Sequence, residues 1–190
     1  MPSTSDEGSI VLNGMSNQKR DNINSNSAIL VDVKVEDYYK DSVLDGLSYQ
    51  EKYERLAFNK SKDYKAPGNL MKEFLNKEVA KDCRSIKPSY PHGLYLCDID
   101  DTLPKGYAEL IRKALIEFDK KIEGYTDPDA IICSIESRSS SPIRILRDEN
   151  RLSSIKGIYP VGEGAGYAGG IMSSALDGLK TAIKIGEEND

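Results

Sequence analysis

Histidine, cysteine and tryptophan are scarce in this sequence. Its 190 residues include one histidine, three cysteines and no tryptophan. The cysteines are Cys83, Cys97 and Cys133, and none of them belongs to a C-x-x-C pair. Structural zinc sites use four closely spaced cysteine or histidine ligands, so we predict no metal site. An odd number of separated cysteines indicates reduced thiols, and we therefore expect a cytoplasmic protein.

Long hydrophobic runs and an excess of positive charge are also lacking. No apolar run approaches the roughly 20 residues of a membrane-spanning helix. Residues 1–7 are polar and acidic, unlike a signal peptide. The net charge is −5, which argues against nucleic acid as a partner. With 38% hydrophobic and 30% charged residues, the composition is typical of one globular domain or two small ones. We expect neither a membrane nor a nucleic-acid partner.

Glycine, by contrast, is concentrated near the C-terminus. The apolar run that begins at Ile158 predicts a buried strand, and the apolar spacing after Ile171 predicts a helix. Glycine lets a backbone approach a ligand closely, and the N-terminus of a helix presents free N–H groups. The pattern therefore favours binding of a phosphate or a polarised carbonyl, and a tight turn packed closely against its helix is the alternative. Five glycines lie between strand and helix: Gly162, Gly164, Gly166, Gly169 and Gly170.

This glycine-rich stretch resembles part of a flavoprotein. The run from Gly157 to Ile171 is similar to the C-terminal flavin-contacting segment of FAD-dependent dehydrogenases of the NAD(FAD)-utilising family, relatives of flavoproteins with two dinucleotide-binding domains. The resemblance implies an FAD-dependent oxidoreductase, with the flavin transferring hydride, a small-molecule substrate, and NAD(P)H as a reductant in the complete enzyme. Four other segments match family landmarks in the same order: Asn13–Ser16, Asp63–Pro67, Pro88–Tyr90 and Ser137–Ile145.

The same resemblance implies roles for individual residues. Glu163 would meet the ribityl–phosphate region, and N–H groups near Ile171 would stabilise charge on the reduced flavin ring. Arg138 would orient an anionic substrate or the flavin, whereas without the resemblance a surface ion-pair network is the simpler interpretation. We assign no catalytic acid or base. The implied cofactor-binding residues are Gly162, Glu163, Gly164, Gly169, Gly170 and Ile171.

The phosphate-binding half of an FAD site is missing from this sequence. A Rossmann-type FAD domain begins with a strand, a G-x-G-x-x-G turn and, about 20 positions later, an acidic residue. Residues 1–30 hold no such arrangement. We therefore expect the C-terminal fragment of a larger flavoprotein, with the missing N-terminal FAD-binding half as its partner. Alone, the chain should bind FAD weakly or not at all, and is expected to be inactive.

The expected fold is α+β or α/β, with the last strand, glycine-rich turn and helix of a Rossmann-type domain and an inserted helical or substrate domain. The predicted segments are 1–27 (a linker strand and a polar loop near the flavin crevice), 28–128 (the inserted domain) and 129–190 (the C-terminal piece of the FAD-binding domain).

Pro67 and Gly68 are expected to break the chain. The other predicted strands are Gly8–Leu12, Ala28–Val35, Leu94–Cys97 and Ala130–Ile135. The other predicted helices begin at the Ser48 capping box, cover Leu70–Leu75, and run from Pro104 towards Gly124.

Two other functions are compatible with parts of the sequence. Asp98 and Asp100 follow a predicted strand in the D-x-D-x-T pattern of haloacid-dehalogenase-type phosphatases, where the first Asp is a nucleophile, the second an acid or base, and both hold magnesium. That pattern fails downstream, because Tyr167 stands near the place of a required acidic residue. We favour Thr102 as a helix cap instead. The third possibility is a non-catalytic interaction module whose helices bind a partner.

Overall fold

The computed structural model describes residues 6–187, and within this range the chain has five α-helices, a short 3-10 helix and three strands. The helices are α1 (Val35–Tyr38), α2 (Asp45–Ser61), α3 (Met71–Asn76), α4 (Tyr107–Asp119) and α5 (Ile171–Glu187). The strands are β1 (Ala66–Leu70), β2 (Leu94–Leu96) and β3 (Ile131–Cys133), and the 3-10 helix is Asp100–Thr102. The fold is therefore of the mixed α+β class. Among the described residues, no helix has the length and apolar character needed to cross a membrane.

The described chain divides into two compact units. The first unit comprises residues 6–34 and 49–137, and the second comprises residues 35–48 and 138–187. The first contains the sheet and the second contains α5. The predicted segments 1–27 and 129–190 include residues 1–5 and 188–190, which lie outside the described residues.

The sheet of the first unit is built around β1. Its order is β2–β1–β3, with β2 parallel and β3 antiparallel to β1. The expectation that Pro67 and Gly68 break the chain is wrong, because both are buried residues of this central strand. Gly68 is needed there, since a Cβ atom would lie 2.6 Å from a β2 side chain and 2.8 Å from a β3 carbonyl. Close approach of three backbones therefore explains the glycine.

Two apolar clusters cover the sheet region of the first unit. The larger cluster joins α3, the segment that follows β2, and α4, with the side chains of Phe74 and Leu115 almost fully buried. Burial of this apolar surface is the main stabilising term for such a unit. The larger cluster consists of Met71, Phe74, Cys97, Ile99, Ala108, Ile111 and Leu115. The smaller consists of Ile10, Leu12, Ala57 and Ala66.

Three of the predicted strands do not form. Within Gly8–Leu12, residues 9–12 are buried, but the segment makes only an isolated bridge, in which the Leu12 N–H donates to the Ile135 carbonyl at 2.8 Å. Residues 28–34 form no strand, although Ile29 and Val31 pack against the larger cluster as their alternation indicates. The run from Ile158 also forms no strand; turns begin at residue 162. The alternation of polar and apolar residues therefore identified side chains that face inward, although the segment does not pair with another strand.

The starts of α2 and α4 differ from the predicted ones by three residues each. α2 begins at Asp45, not at the Ser48 capping box, and the Asp45 carboxylate accepts three backbone N–H bonds at 2.8–3.0 Å. Those N–H groups hold the pKa of Asp45 below its usual value. α4 follows Gly106, so the prediction that Thr102 caps it is wrong. Thr102 is buried instead, and its hydroxyl lies 2.6 Å from the Ser134 hydroxyl.

Candidate functional site

The glycine-rich segment forms a set of turns within the second unit. Gly162 and Gly166 have φ angles of 69° and 79°, the left-handed region that favours glycine. The Gly166 N–H donates to the Glu163 carbonyl at 2.9 Å. A Cβ atom at Gly166 would lie 2.4 Å from the Ile143 carbonyl oxygen. The fold itself therefore requires these two glycines.

Gly164 and Gly169 differ from Gly162 and Gly166. Neither has a φ in the left-handed region, and a Cβ atom at either position would meet nothing within 4 Å. Both residues are exposed. The fold of this chain therefore does not require glycine at these positions, and their bare backbone is open to close approach from outside.

A buried charge network fixes the turn to α5. The Asp177 carboxylate accepts from the Gly162 N–H at 3.0 Å, from the Arg147 guanidinium at 2.7 and 2.9 Å, and from Arg151 at 2.7 Å. The side chains of Arg147 and Asp177 are only 10% and 12% exposed. The bond with Arg147, followed by the bonds from Gly162 and Arg151, holds the pKa of Asp177 well below its usual value. The Gly162 amide is therefore occupied within the chain.

The serine- and arginine-rich segment packs against the same turn. Ser141 Oγ donates to the Gly164 carbonyl at 3.3 Å, and Arg144 Nε donates to the Gly166 carbonyl at 3.0 Å. The Arg147 guanidinium lies 3.6 Å from the centre of the Tyr167 ring, a cation–π contact. The structure thus brings together two segments that the sequence singled out separately. Arg138 is an exposed residue at the start of this stretch.

The N-terminus of α5 follows the turn and is exposed. The Gly170 carbonyl accepts the Ser174 N–H at 2.9 Å and the Ser173 hydroxyl at 3.0 Å. The first N–H groups of a helix, here those from Ile171 to Ser173, have no acceptor within the helix. Ile171 and Met172 are largely exposed, so the positive end of the helix dipole faces open surface. This arrangement can hold an anion or a polarised carbonyl oxygen.

Sequence reasoning missed the residues that hold this site in shape. Asp177, Arg147 and Arg151 carry the network, yet Asp177 stands 30 positions from Arg147 and 26 from Arg151. No local pattern marks a long-range ion pair between such residues. The available signal was weak: an acidic residue on the polar side of a helix, following a segment rich in arginine.

The Asp-x-Asp segment has structural tasks in the first unit. The Asp100 carboxylate accepts two bonds from the Arg112 guanidinium, at 2.7 and 2.9 Å. The Asp98 carboxylate accepts the Asp100 N–H at 2.9 Å. Within residues 6–187, no group of three or more His, Cys, Asp or Glu residues is arranged to hold a metal ion. Asp98 and Asp100 are therefore bonded within the chain, and their contacts give the phosphatase hypothesis no support.

Comparison with known proteins identifies the family of the chain. The model of a family described as "FAD-dependent protein, C-terminal domain-like" matches residues 1–139. The chain belongs to this family. The match supports FAD-related function at the level of the family, and it ends before the glycine-rich turn.

A curated relative extends the similarity through the turn. It is an uncharacterized protein of Clostridium beijerinckii (strain ATCC 51743 / NCIMB 8052), 43% identical over 188 residues. The alignment includes 98% of this chain but only 35% of the relative. The chain thus spans about a third of the length of this relative, and the activity of the whole protein is a matter for proposal.

Proposed function

We propose that the chain is the C-terminal part of an FAD-dependent oxidoreductase, and that residues 163–171 form the edge of its site that faces the flavin. The observation that carries the proposal is the open backbone at Gly164 and Gly169, where neither φ nor any neighbouring atom requires glycine. Membership of an FAD-dependent family supports the identity of the ligand. A flat aromatic ring system needs such unobstructed backbone for close contact.

Each part of the turn has a separate task in this proposal. Backbone N–H groups from Gly169 to Ile171 donate to a carbonyl oxygen of the flavin ring, and the dipole of α5 stabilises negative charge there. The exposed Glu163 carboxylate accepts bonds from ribityl hydroxyls. Gly162 shapes the turn, because its own N–H already donates to Asp177. Arg138 orients an anionic small-molecule substrate. Bound FAD supplies the hydride-transfer chemistry.

The described residues fit only the flavin end of FAD. A Rossmann-type site would place the pyrophosphate beyond a strand, and residues 158–161 form no strand here. The proposal therefore assigns the adenine and phosphate end to a separate N-terminal FAD-binding half. The Rossmann-type frame, the inserted domain and the dehydrogenase reaction with a nicotinamide reductant belong to this proposal as well, and they rest on the sequence resemblance.

Amide chemical shifts of the isotope-labelled chain test the proposal, because NMR detects even millimolar binding. Riboflavin and FAD, added separately, should shift the amides of Gly164, Gly169, Gly170 and Ile171 with similar affinity. ADP should leave them unchanged, since the phosphate end has no site here. Shifts confined to other regions, no saturable shift, or the same shifts with ADP would contradict the proposal.

A pair of glycine variants sharpens this experiment. Gly169→Val places a branched side chain on the open backbone and should weaken flavin binding by about tenfold, roughly 1.4 kcal/mol. Gly178→Ala is the matched control: it lies in the middle of α5, and a Cβ there also meets nothing within 4 Å. The control should bind riboflavin as the unmodified chain does. Equal binding by all three proteins would remove the turn from the site.

A further inference from the structure

Most of the apolar side chains of α5 face outward, which is the reverse of an ordinary surface helix. A surface helix normally turns its apolar stripe inward and its polar face to water. On α5 most residues turned inward are small or polar, including Asp177 in the charge network and Thr181, which is buried; the half-buried Ile185 is the exception. The apolar residues recur at i, i+4, i+7 and i+11 on the other side. They are exposed by 80% at Met172, 51% at Leu176, 59% at Leu179 and 52% at Ile183.

The rest of the second unit has little apolar interior to offset this exposure. Among the residues that the structure describes, Ala165 is the only buried hydrophobic residue of this unit. More than half of the exposed large hydrophobic side chains nevertheless belong to it, although it is the smaller unit. A contiguous apolar stripe on a helix marks an interaction surface. The outer side of α5 therefore has the character of an interaction surface.

We propose that the stripe of Met172, Leu176, Leu179 and Ile183 docks an FAD-binding portion carried by additional polypeptide, of the kind that the longer Clostridium relative has outside the matched region. The relative supplies the length argument, because 98% of this chain aligns with only 35% of it. A further two-thirds of polypeptide accompanies this sequence there. An amphipathic helix laid into an apolar groove is a common docking mode, with anchors at this same spacing.

Charge disfavours a lipid surface as the occupant. Membrane-surface helices are rich in lysine and arginine beside their apolar face. The basic residues of α5 are Lys180 and Lys184, and Lys184 is paired with Glu187 at 2.8 Å. The docking inference rests on the proposed function for the identity of its occupant, but it does not depend on cofactor contacts at the turn.

Thiol accessibility in a fused protein tests the docking. The probe is a chimera in which this chain replaces the matched 188 residues of the Clostridium relative. Leu176→Cys is introduced both in the chain alone and in the chimera, and maleimide labelling is followed peptide by peptide. Labelling should be at least tenfold slower in the chimera. Ile116→Cys on α4 is the matched control, since Ile116 is 50% exposed, and its labelling should change by less than about twofold.

Each result decides for or against the docking. Equal labelling of Leu176→Cys in the chain and in a cooperatively unfolding chimera overturns it, as does equal slowing at both positions. Protection in the chain alone that grows with concentration assigns the stripe to a second copy, and protection by anionic phosphatidylglycerol vesicles assigns it to a membrane; either overturns the proposal. Flavin absorbance of the chimera is read separately, so a protected thiol without bound flavin retains the docking and rejects the flavin site.

Discussion

The two units of this chain are stabilised in different ways. The first unit buries Phe74, Leu115 and their neighbours around a three-stranded sheet. The second holds its turns against α5 by hydrogen bonds and ion pairs that converge on Asp177. Burial of apolar surface tolerates departures from exact geometry, whereas a network of buried ion pairs does not. The comparison teaches that the first unit is stabilised mainly by its apolar core, whereas the second is stabilised mainly by a charge network and leaves the apolar side of α5 exposed.

The largest expected effect is the loss of a core side chain in the first unit. Phe74→Ala removes an aromatic ring that is 1% exposed and should lower the free energy of unfolding by about 3–5 kcal/mol. Chemical denaturation followed by circular dichroism measures the change. Native-state hydrogen exchange should show the loss in β1 and α4 but not in α5.

A control variant and a contrary result belong to this measurement. Phe118→Ala, at a partly exposed position of α4, should cost about 1 kcal/mol or less. If Phe74→Ala lowered the protection of α5 amides as much as that of α4 amides, the two units would unfold as one, and the comparison between them would fail.

The second prediction concerns the charge network of the second unit. Asp177→Asn keeps the shape of the side chain but leaves Arg147 and Arg151 without their carboxylate. Local stability should fall by about 2 kcal/mol, the value of charged hydrogen bonds lost in a partly buried site. Hydrogen exchange at Gly162 and through α5 measures it. Glu187→Gln breaks an exposed ion pair of the same helix and should cost less than about 0.5 kcal/mol. Equal effects would mean that Asp177 has no special role.

Acid provides a third test of the same residue. The folded pKa of Asp177 is depressed, so its contribution to stability is complete above the unfolded value of about 3.9 and is lost as the pH falls below that value towards the folded pKa. The difference in exchange protection at Gly162 between the unmodified chain and Asp177→Asn should therefore be constant from pH 7 to pH 5 and shrink towards pH 2.5. A constant difference over the whole range would show that the carboxylate charge is unimportant.

Local pattern predicted α2, α3, α4 and α5 and two of the strands, because their signals are contained in short stretches of sequence, whereas α1 was not predicted. The apolar spacing in α4 and α5 identified both helices, and the apolar runs identified β2 and β3. The local pattern failed at Pro67. Proline has no N–H to donate and is normally confined to edge strands, yet here it lies in the central strand β1. Tertiary packing outweighed the local preference.

The candidate site was predictable only in part. Glycine composition located the turn, and its proximity to the serine- and arginine-rich segment follows from the fold. Which glycines the fold needs could not be read from the sequence, since Gly164 and Gly166 look alike there and differ only in φ and in neighbouring atoms. The inverted polarity of α5 was likewise hidden, because periodicity reveals an apolar stripe without saying which way it points.

The smallest predicted effect separates the two kinds of glycine. Gly166→Ala should destabilise the second unit by about 1–2 kcal/mol, because its φ is 79° and the new Cβ would meet the Ile143 carbonyl oxygen at 2.4 Å. Gly164→Ala should be neutral or slightly stabilising, by up to about 1 kcal/mol, since the new Cβ meets nothing and the unfolded chain loses freedom. Exchange protection in α5 measures both variants. Were Gly164→Ala as damaging as Gly166→Ala, glycine at 164 would serve the fold itself, and the argument that its open backbone awaits a flavin would lose its basis.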